Sequence, residues 1–256
     1  MRTRLNAILL ALAAPLASAD DGALSYEPHG LDWSAEEMAG ATAAPAGLLL
    51  ARAEALGLRG CSRHCERLQQ LFARLLPLAR QQNPQARAVD WRLEVLRLPD
   101  LEAQAQPDGL LLVSEVFVEQ RAPSEAELAF VLAHEMAHVI LEHERQALSF
   151  ARQLLPRQVA RSVRDMYVEI DHNFALLKAM EPVLQQGELE ADELGLLLAA
   201  AAGFAPAAQL RFLESEARQP QRRSLLDTHP SMAVRLAALR ERLPLAARLY
   251  EQSTRH

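Results

Sequence analysis

Cysteine is scarce in this chain of 256 residues: there are two, Cys61 and Cys65. A fold stapled by many disulfides is therefore excluded. So is haem attachment through C-x-x-C-H, because His64 stands where that run needs a cysteine. An excess of positive charge is also missing. Lysine and arginine number 27 against 33 acidic residues, a net charge of −6, which argues against a nucleic-acid partner. Past the first residues no apolar run is long enough to span a bilayer. The longest, 195–208, is broken by Gly203 and Pro206. No tetratricopeptide pattern or other repeat is present.

The N-terminus reads as an export signal. Arg2 and Arg4 precede an apolar core, 5–16, and Ala17-Ser18-Ala19 offers a cleavage site. No cysteine follows that site, so no lipid anchor is indicated. The expectation is a signal peptide over 1–19 and release into the periplasm. In that oxidising compartment Cys61 and Cys65 invite a bridge. On an ideal helix their i, i+4 spacing lies near the long limit of disulfide geometry. A bridge then needs a helix end, which Gly57 and Gly60 make available; two free thiols are the alternative.

Residues 20–45 are rich in Ala, Gly, Pro and acidic side chains without sustained periodicity, which predicts a loosely ordered arm. One domain, 46–256, follows. Its periodicities predict helix over 46–82, 128–145, most of 149–186, 188–202, 206–217 and 231–243, with breaks near Pro156 and Pro182. Trp91, Leu93 and Val95 alternate with Arg92 and Glu94, which predicts a strand. Residues 110–113, after the turn signal Pro107-Asp108-Gly109, predict a second. The expected class is α+β, predominantly helical, with a small antiparallel sheet beside the helix 128–145.

That helix carries His134-Glu135-Met136-Ala137-His138. Ser124 and Glu127 form a capping box at its start. Residues i and i+4 share a helix face, so both imidazoles can bind one zinc ion. Glu135 between them can reach a water on that ion and act as base. A catalytic zinc site wants a third protein ligand. A third histidine in the pattern H-E-x-x-H-x-x-G-x-x-H is excluded by Leu141 and Glu144. His143 falls on a different helical face and reads as a helix-end cation.

The remaining source is a carboxylate from another helix. Glu188 and Asp192 are i, i+4 and share a face; Ala191 and Gly195 on or beside it would admit a close neighbour. Glu188 can then ligate, while Asp192 accepts the free ring N–H of a ligating histidine. Glu190 and Glu193 are rivals, but neither has a carboxylate four residues on.

From the H-E-x-x-H run, Glu188-x-x-x-Asp192 with Gly195, and Thr228-His229-Pro230 with Arg235, the chain resembles the HtpX/BepA-like gluzincin metallopeptidases over roughly 91–239. The resemblance implies a zincin-like domain holding one Zn2+ on His134, His138 and Glu188. Glu135 is then the base and Asp192 the carboxylate behind a ligand. It further implies that His229 stands near the zinc, either as a fourth ligand in a resting enzyme or as an oxyanion stabiliser. A helix-start histidine is the plain alternative. Unfolded or misassembled envelope proteins are the implied substrates, cut at exposed backbone pairing with the edge of 110–113. Outer-membrane-associated partners fit the same picture. A latent or chaperone-like zinc protein is the alternative function. The family's Asn-Ala-x-Ala-x-Pro-Gly-Gly run appears here as Glu102-Ala103-Gln104-Ala105-Gln106-Pro107-Asp108-Gly109.

Overall fold

A computed structural model describes residues 31–156, 158–218 and 229–255. The expected leader, 1–19, lies outside the described residues, as does Thr228. Among those described, ten helices surround a three-stranded sheet. The class is α+β and predominantly helical, as expected.

The sheet differs from expectation. Strand β1 (Arg92–Leu96) lies parallel to β3 (Leu110–Ser114), with Arg92 opposite Leu110. The antiparallel partner of β3 is β2 (Ala103–Ala105), three residues from the 102–109 run. The order β1-β3-β2 therefore makes a mixed sheet, with β3 in the middle. The physical reason is the length of the link. Residues 97–109 are enough to cross over, descend as β2 and return as β3 through a turn closed by Gly109 at φ 88.

β3 is buried on both faces. Leu111 and Val113 pack with α2 (Cys65–Arg80) and α5 (Glu125–Ile140). Leu110 and Leu112 pack on the opposite face with α1 (Ala35–Ala55). A strand covered on both sides must be apolar throughout rather than alternating. This places the sheet directly beside the H-E-x-x-H helix, α5.

Two helix expectations need correction. Residues 35–45, expected in a loose arm, form the first half of α1. Ser34 and Glu37 close a capping box there, and Trp33 and Met38 are buried. The alanine-rich face carries little periodicity, which hid it. The single helix expected over 46–82 is instead two, separated at 56–64. Gly57 and Gly60 adopt positive φ, 64° and 84°, and turn the chain onto the edge of β1. Gly60 N–H donates to Val95 and Arg97 N–H to Leu58.

Cys61 and Cys65 are disulfide-bonded with Cα atoms 5.6 Å apart, Cys65 being the first residue of α2. The bridge thus uses a helix end. Within its loop the N–H groups of Ser62, Arg63 and His64 all donate to Glu115. Glu115 opens α4 (Glu115–Arg121) and is 1% exposed. Burial opposes its charge, yet these donors hold its carboxyl down at about 2.

After α5 come α6 (His143–Leu154), α7 (Val163–His172) and α8 (Phe174–Ala201). The expected break near Pro156 is present, but α8 runs through Pro182 without interruption. Gly203 follows its end at φ 83, as expected of a C-terminal glycine. Then come α9 (Pro206–Glu216) and α10 (Met232–Thr254). The short α3 (Pro84–Ala88) completes the set. The most extensive helix contact is α5 against α8.

Candidate metal centre

The α5–α8 contact is close because Gly195 of α8 lies against α5 itself. A Cβ at Gly195 would stand 2.9 Å from His134 N and 3.0 Å from its Cα. Ala191, fully buried, serves the same approach one turn earlier. The small residues let the acidic stripe of α8 reach the two histidines.

His134, His138 and Glu188 meet. Each offers one ligand atom, and these atoms all lie within 4.8 Å of one another. His134 Nε2 is 3.1 Å from His138 Nε2 and 3.6 Å from Glu188 Oε2; His138 Nε2 is 3.4 Å from Glu188 Oε1. Ligand atoms about 2.05 Å from a tetrahedral zinc stand about 3.3 Å apart. The two carboxylate distances end on different oxygens, and all three separations lie near that value. Two imidazoles and a carboxylate, with a fourth vertex left for water, are also the donor set such an ion takes in catalytic sites. The residues fit the metal.

The groups behind the cluster fix its polarity. His134 Nδ1 is 3.1 Å from Asp192 Oδ1. Asp192 has no exposed surface, and Arg235 of α10 donates to both its oxygens at 2.6 Å. Arg235 Nη1 is also 3.8 Å from Glu188 Oε2. Burial raises the Asp192 carboxyl, but the Arg235 and His134 bonds outweigh it and hold it low. Burial likewise opposes charge on Glu188, yet its bond from His138 and the charge of His134 keep it at about 2. His134 is pushed down by burial and up, by more, through Asp192 and Glu188.

Glu135, the next residue on α5, lines the same cleft as His134, His138 and Glu188. Its Oε2 accepts the N–H of Ala105 at 2.8 Å. Gln106 N–H donates to Leu110 and Ser114 N–H to Glu102. By antiparallel alternation the N–H and C=O of Ala103 and Ala105 then face away from β3. Among the described strands, the outer edge beside Glu135 is thus β2. The expected edge at 110–113 is paired on both sides. A cleft of about 720 Å³ joins this edge to the His134–His138–Glu188 cluster and to an apolar wall including Ile170, Leu177 and Val183.

His229 precedes α10, and its Nε2 lies 3.7 Å from Glu188 Oε1. Its side chain is 63% exposed, and it is not part of the three-atom cluster. Glu193 pairs with Arg242 instead of approaching the site.

One residue escapes the sequence argument. His143 is buried, with Nδ1 3.0 Å from His138 Nδ1 and Nε2 3.1 Å from Glu190 Oε2. Burial holds it below the ordinary imidazole range. It is not a helix-end cation. The signal that could have found it is an accounting one: Asp192 served one ligating histidine, and nothing had been assigned to the other.

Comparison with known proteins decides the family. Residues 62–243 match the family described as Peptidase family M48. The chain belongs to peptidase family M48. The expected gluzincin resemblance holds at that level, and this is a metallopeptidase domain with the zincin-like layout. Among curated proteins the chain is similar to mitochondrial metalloendopeptidase OMA1 of Schizosaccharomyces pombe, 32% identical over 164 residues. That match covers 61% of this chain and 48% of the yeast protein. Human metalloendopeptidase OMA1 is 27% identical over 183 residues, covering 64% of this chain and 34% of the human protein. The chain thus spans half or less of these relatives' lengths. No helix among the described residues is long and apolar enough to cross a membrane.

Proposed function

We propose that this M48 domain is an exported zinc endopeptidase that hydrolyses peptide bonds in unfolded or misassembled envelope proteins. The observation that carries the reading is the His134–His138–Glu188 cluster, with the two Nε2 atoms 3.1 Å apart and the two Glu188 oxygens 3.4 and 3.6 Å from them, and Glu135 on the same helix. The export and substrate parts draw on the leader expected at 1–19 and on the family resemblance.

Zinc held by these three residues would supply a water of lowered pKa and a polarised scissile carbonyl. Glu135 takes the water proton during attack and later delivers it to the leaving amine. The Ala105 N–H keeps that carboxylate aimed across the cleft. An extended substrate pairs its backbone with the outward N–H and C=O of Ala103 and the outward C=O of Ala105, the Ala105 N–H being held by Glu135, which supports loose sequence preference. Hydrogen bonds to main chain read no side chain, so unfolded segments are accepted and folded ones excluded.

A second reading is latency, with a chaperone-like role for the closed site. It is favoured by His229, whose Nε2 lies 3.7 Å from Glu188 Oε1. Both readings meet in one experiment. Zinc-loaded protein is incubated with an unfolded outer-membrane protein beside an equally loaded Glu135→Gln variant. Cleavage by the wild type alone supports the endopeptidase. Cleavage by neither, restored by His229→Ala, supports latency. Equal cleavage by both removes Glu135 as the base.

A further inference from the structure

His143 takes no part in the chemistry above, yet it is buried between the site and α8 and touches both. A neutral imidazole carries one N–H and one bare nitrogen. The proposed reading gives His138 Nε2 to the metal, so the His138 proton sits on Nδ1. That N–H needs an acceptor, and His143 Nδ1 is 3.0 Å away. His143 Nδ1 must then be bare and its proton must sit on Nε2. There the Glu190 carboxylate, 3.1 Å away, accepts it. One arrangement of protons satisfies all the atoms. An imidazolium at His143 would set two N–H groups against each other.

The backbone is shaped to bring this ring home. On a continued helix, residue 143 would lie about 140° around the axis from His138. Instead α5 ends at Ile140, and Glu142 adopts the left-handed conformation, φ 54 and ψ 35. That conformation costs a non-glycine residue roughly 1–2 kcal/mol. It turns His143 back beneath His138. From the far side Gly187 of α8 lies against the ring. A Cβ there would meet His143 Cγ at 3.3 Å and Nδ1 at 3.5 Å. The ring is held by its hydrogen bonds at both nitrogens and by Gly187.

We infer that His143, oriented by Glu190, is a positioning residue that fixes the tautomer and ring plane of His138. It does for one ligand what the Asp192 carboxylate does for His134. The inference rests on the reading of His134, His138 and Glu188 as metal ligands. A partner behind a ligand typically contributes 10–100-fold in metal affinity.

The test has two readouts. The first is the zinc affinity of the metal-free protein, by competition with a chromogenic chelator. The second is the tautomer of each histidine in the zinc-loaded protein, by 15N NMR. His143→Phe keeps a flat ring and removes the acceptor. It should weaken zinc binding about 10–100-fold while the metal-free protein melts near the wild type. His143→Asn, whose amide oxygen can stand where Nδ1 stood, should recover most of that loss. Glu190→Ala should weaken binding less than His143→Phe. In the wild type, His143 should appear as the neutral Nε2–H tautomer.

Wild-type affinity in a folded His143→Phe protein overturns the inference. So does a wild-type His143 protonated at Nδ1. If His143→Phe does not fold, the wild-type tautomer decides alone. His134→Ala separates this failure from failure of the metal reading. Loss of zinc there with none in His143→Phe sinks only the positioning role. Retention of zinc in His134→Ala sinks both.

Discussion

Gly195→Ala adds one methyl group and touches no ligand, yet it should damage the site. The new Cβ would stand 2.9 Å from His134 N, 3.0 Å from His134 Cα and 3.3 Å from Ala133 C. All three are backbone atoms of α5, so no side chain can rotate away. Restoring ordinary contact at 3.4 Å requires α5 and α8 to separate by about 0.5 Å at this point. The His134–Asp192 bond, now 3.1 Å, would lengthen to about 3.6 Å, beyond hydrogen-bond range. Overpacking of this kind costs about 1–3 kcal/mol, against a gain of up to about 1 kcal/mol in helix propensity. The control is Gly47→Ala in α1, where the added Cβ meets nothing within 4 Å. There only propensity changes, and the protein should gain about 0.5–1 kcal/mol. Urea unfolding of the metal-free proteins and zinc titration read both terms. The two glycines should move stability in opposite directions, and only Gly195→Ala should weaken zinc binding. A Gly195→Ala protein as stable as Gly47→Ala, with wild-type zinc affinity, would refute the close α5–α8 approach.

Arg235→Met leaves the Asp192 carboxylate buried without its bidentate partner, which should cost about 3–5 kcal/mol in thermal unfolding. Chelation of the metal should lower Tm reversibly, by about 2.7 kcal/mol of stabilisation lost relative to protein held at 100 times its Kd in zinc. Glu115→Gln should destabilise by up to about 3 kcal/mol at neutral pH, because the carboxyl is held at about 2 against an ordinary 4.5. The folded value is depressed, so this stability is present above pH 4.5 and fades as pH falls towards 2. Urea midpoints of wild type and variant should therefore converge on acidification. Parallel curves would show that the loop 61–65 does not bind the charged form.

The two halves of the His134–His138–Glu188 cluster were legible because each half is local. His134 with His138, and Glu188 with Asp192, are related by helical period alone, and that period is insensitive to the rest of the fold. Gly195 and Ala191 announced the close approach of the second helix through their size. His143 was not legible because its placement depends on a left-handed Glu142, and glutamate carries no signal for that conformation. Parallel pairing of β1 with β3 was hidden in the same way. β2 is three residues long and alternates alanine with glutamine, so nothing in Ala103-Gln104-Ala105 marks a strand. Tertiary context, the α5 wall and the Glu135 carboxylate, is what holds it extended. Arg235 was visible as part of the motif set that carries the resemblance, but its partner lies 43 positions away on another helix.

The placement of these groups on α8 has a mechanical consequence. Glu188, Asp192 and Gly195 follow i, i+4, i+7 spacing and form one stripe against His134. Gly187 and Glu190 lie along its edge and face His143. A continuous helix fixes the rise and rotation between these residues, so their mutual geometry cannot drift while α8 stays helical. The soft coordinate of the site is therefore the separation and tilt of α8 against α5. Gly195 sets that separation at His134, and Gly187 sets it at His143. Arg235 ties α10 to Asp192 on the same helix. A load that moved α10 would reach the His134–His138–Glu188 cluster through that ion pair, and His229, three residues before α10, sits at the same end of it. Occupation of the cleft and the spacing of these helices are thus one equilibrium. Any ligand that grips His134 and Glu188 together should protect the α5 and α8 amides from exchange as a single unit.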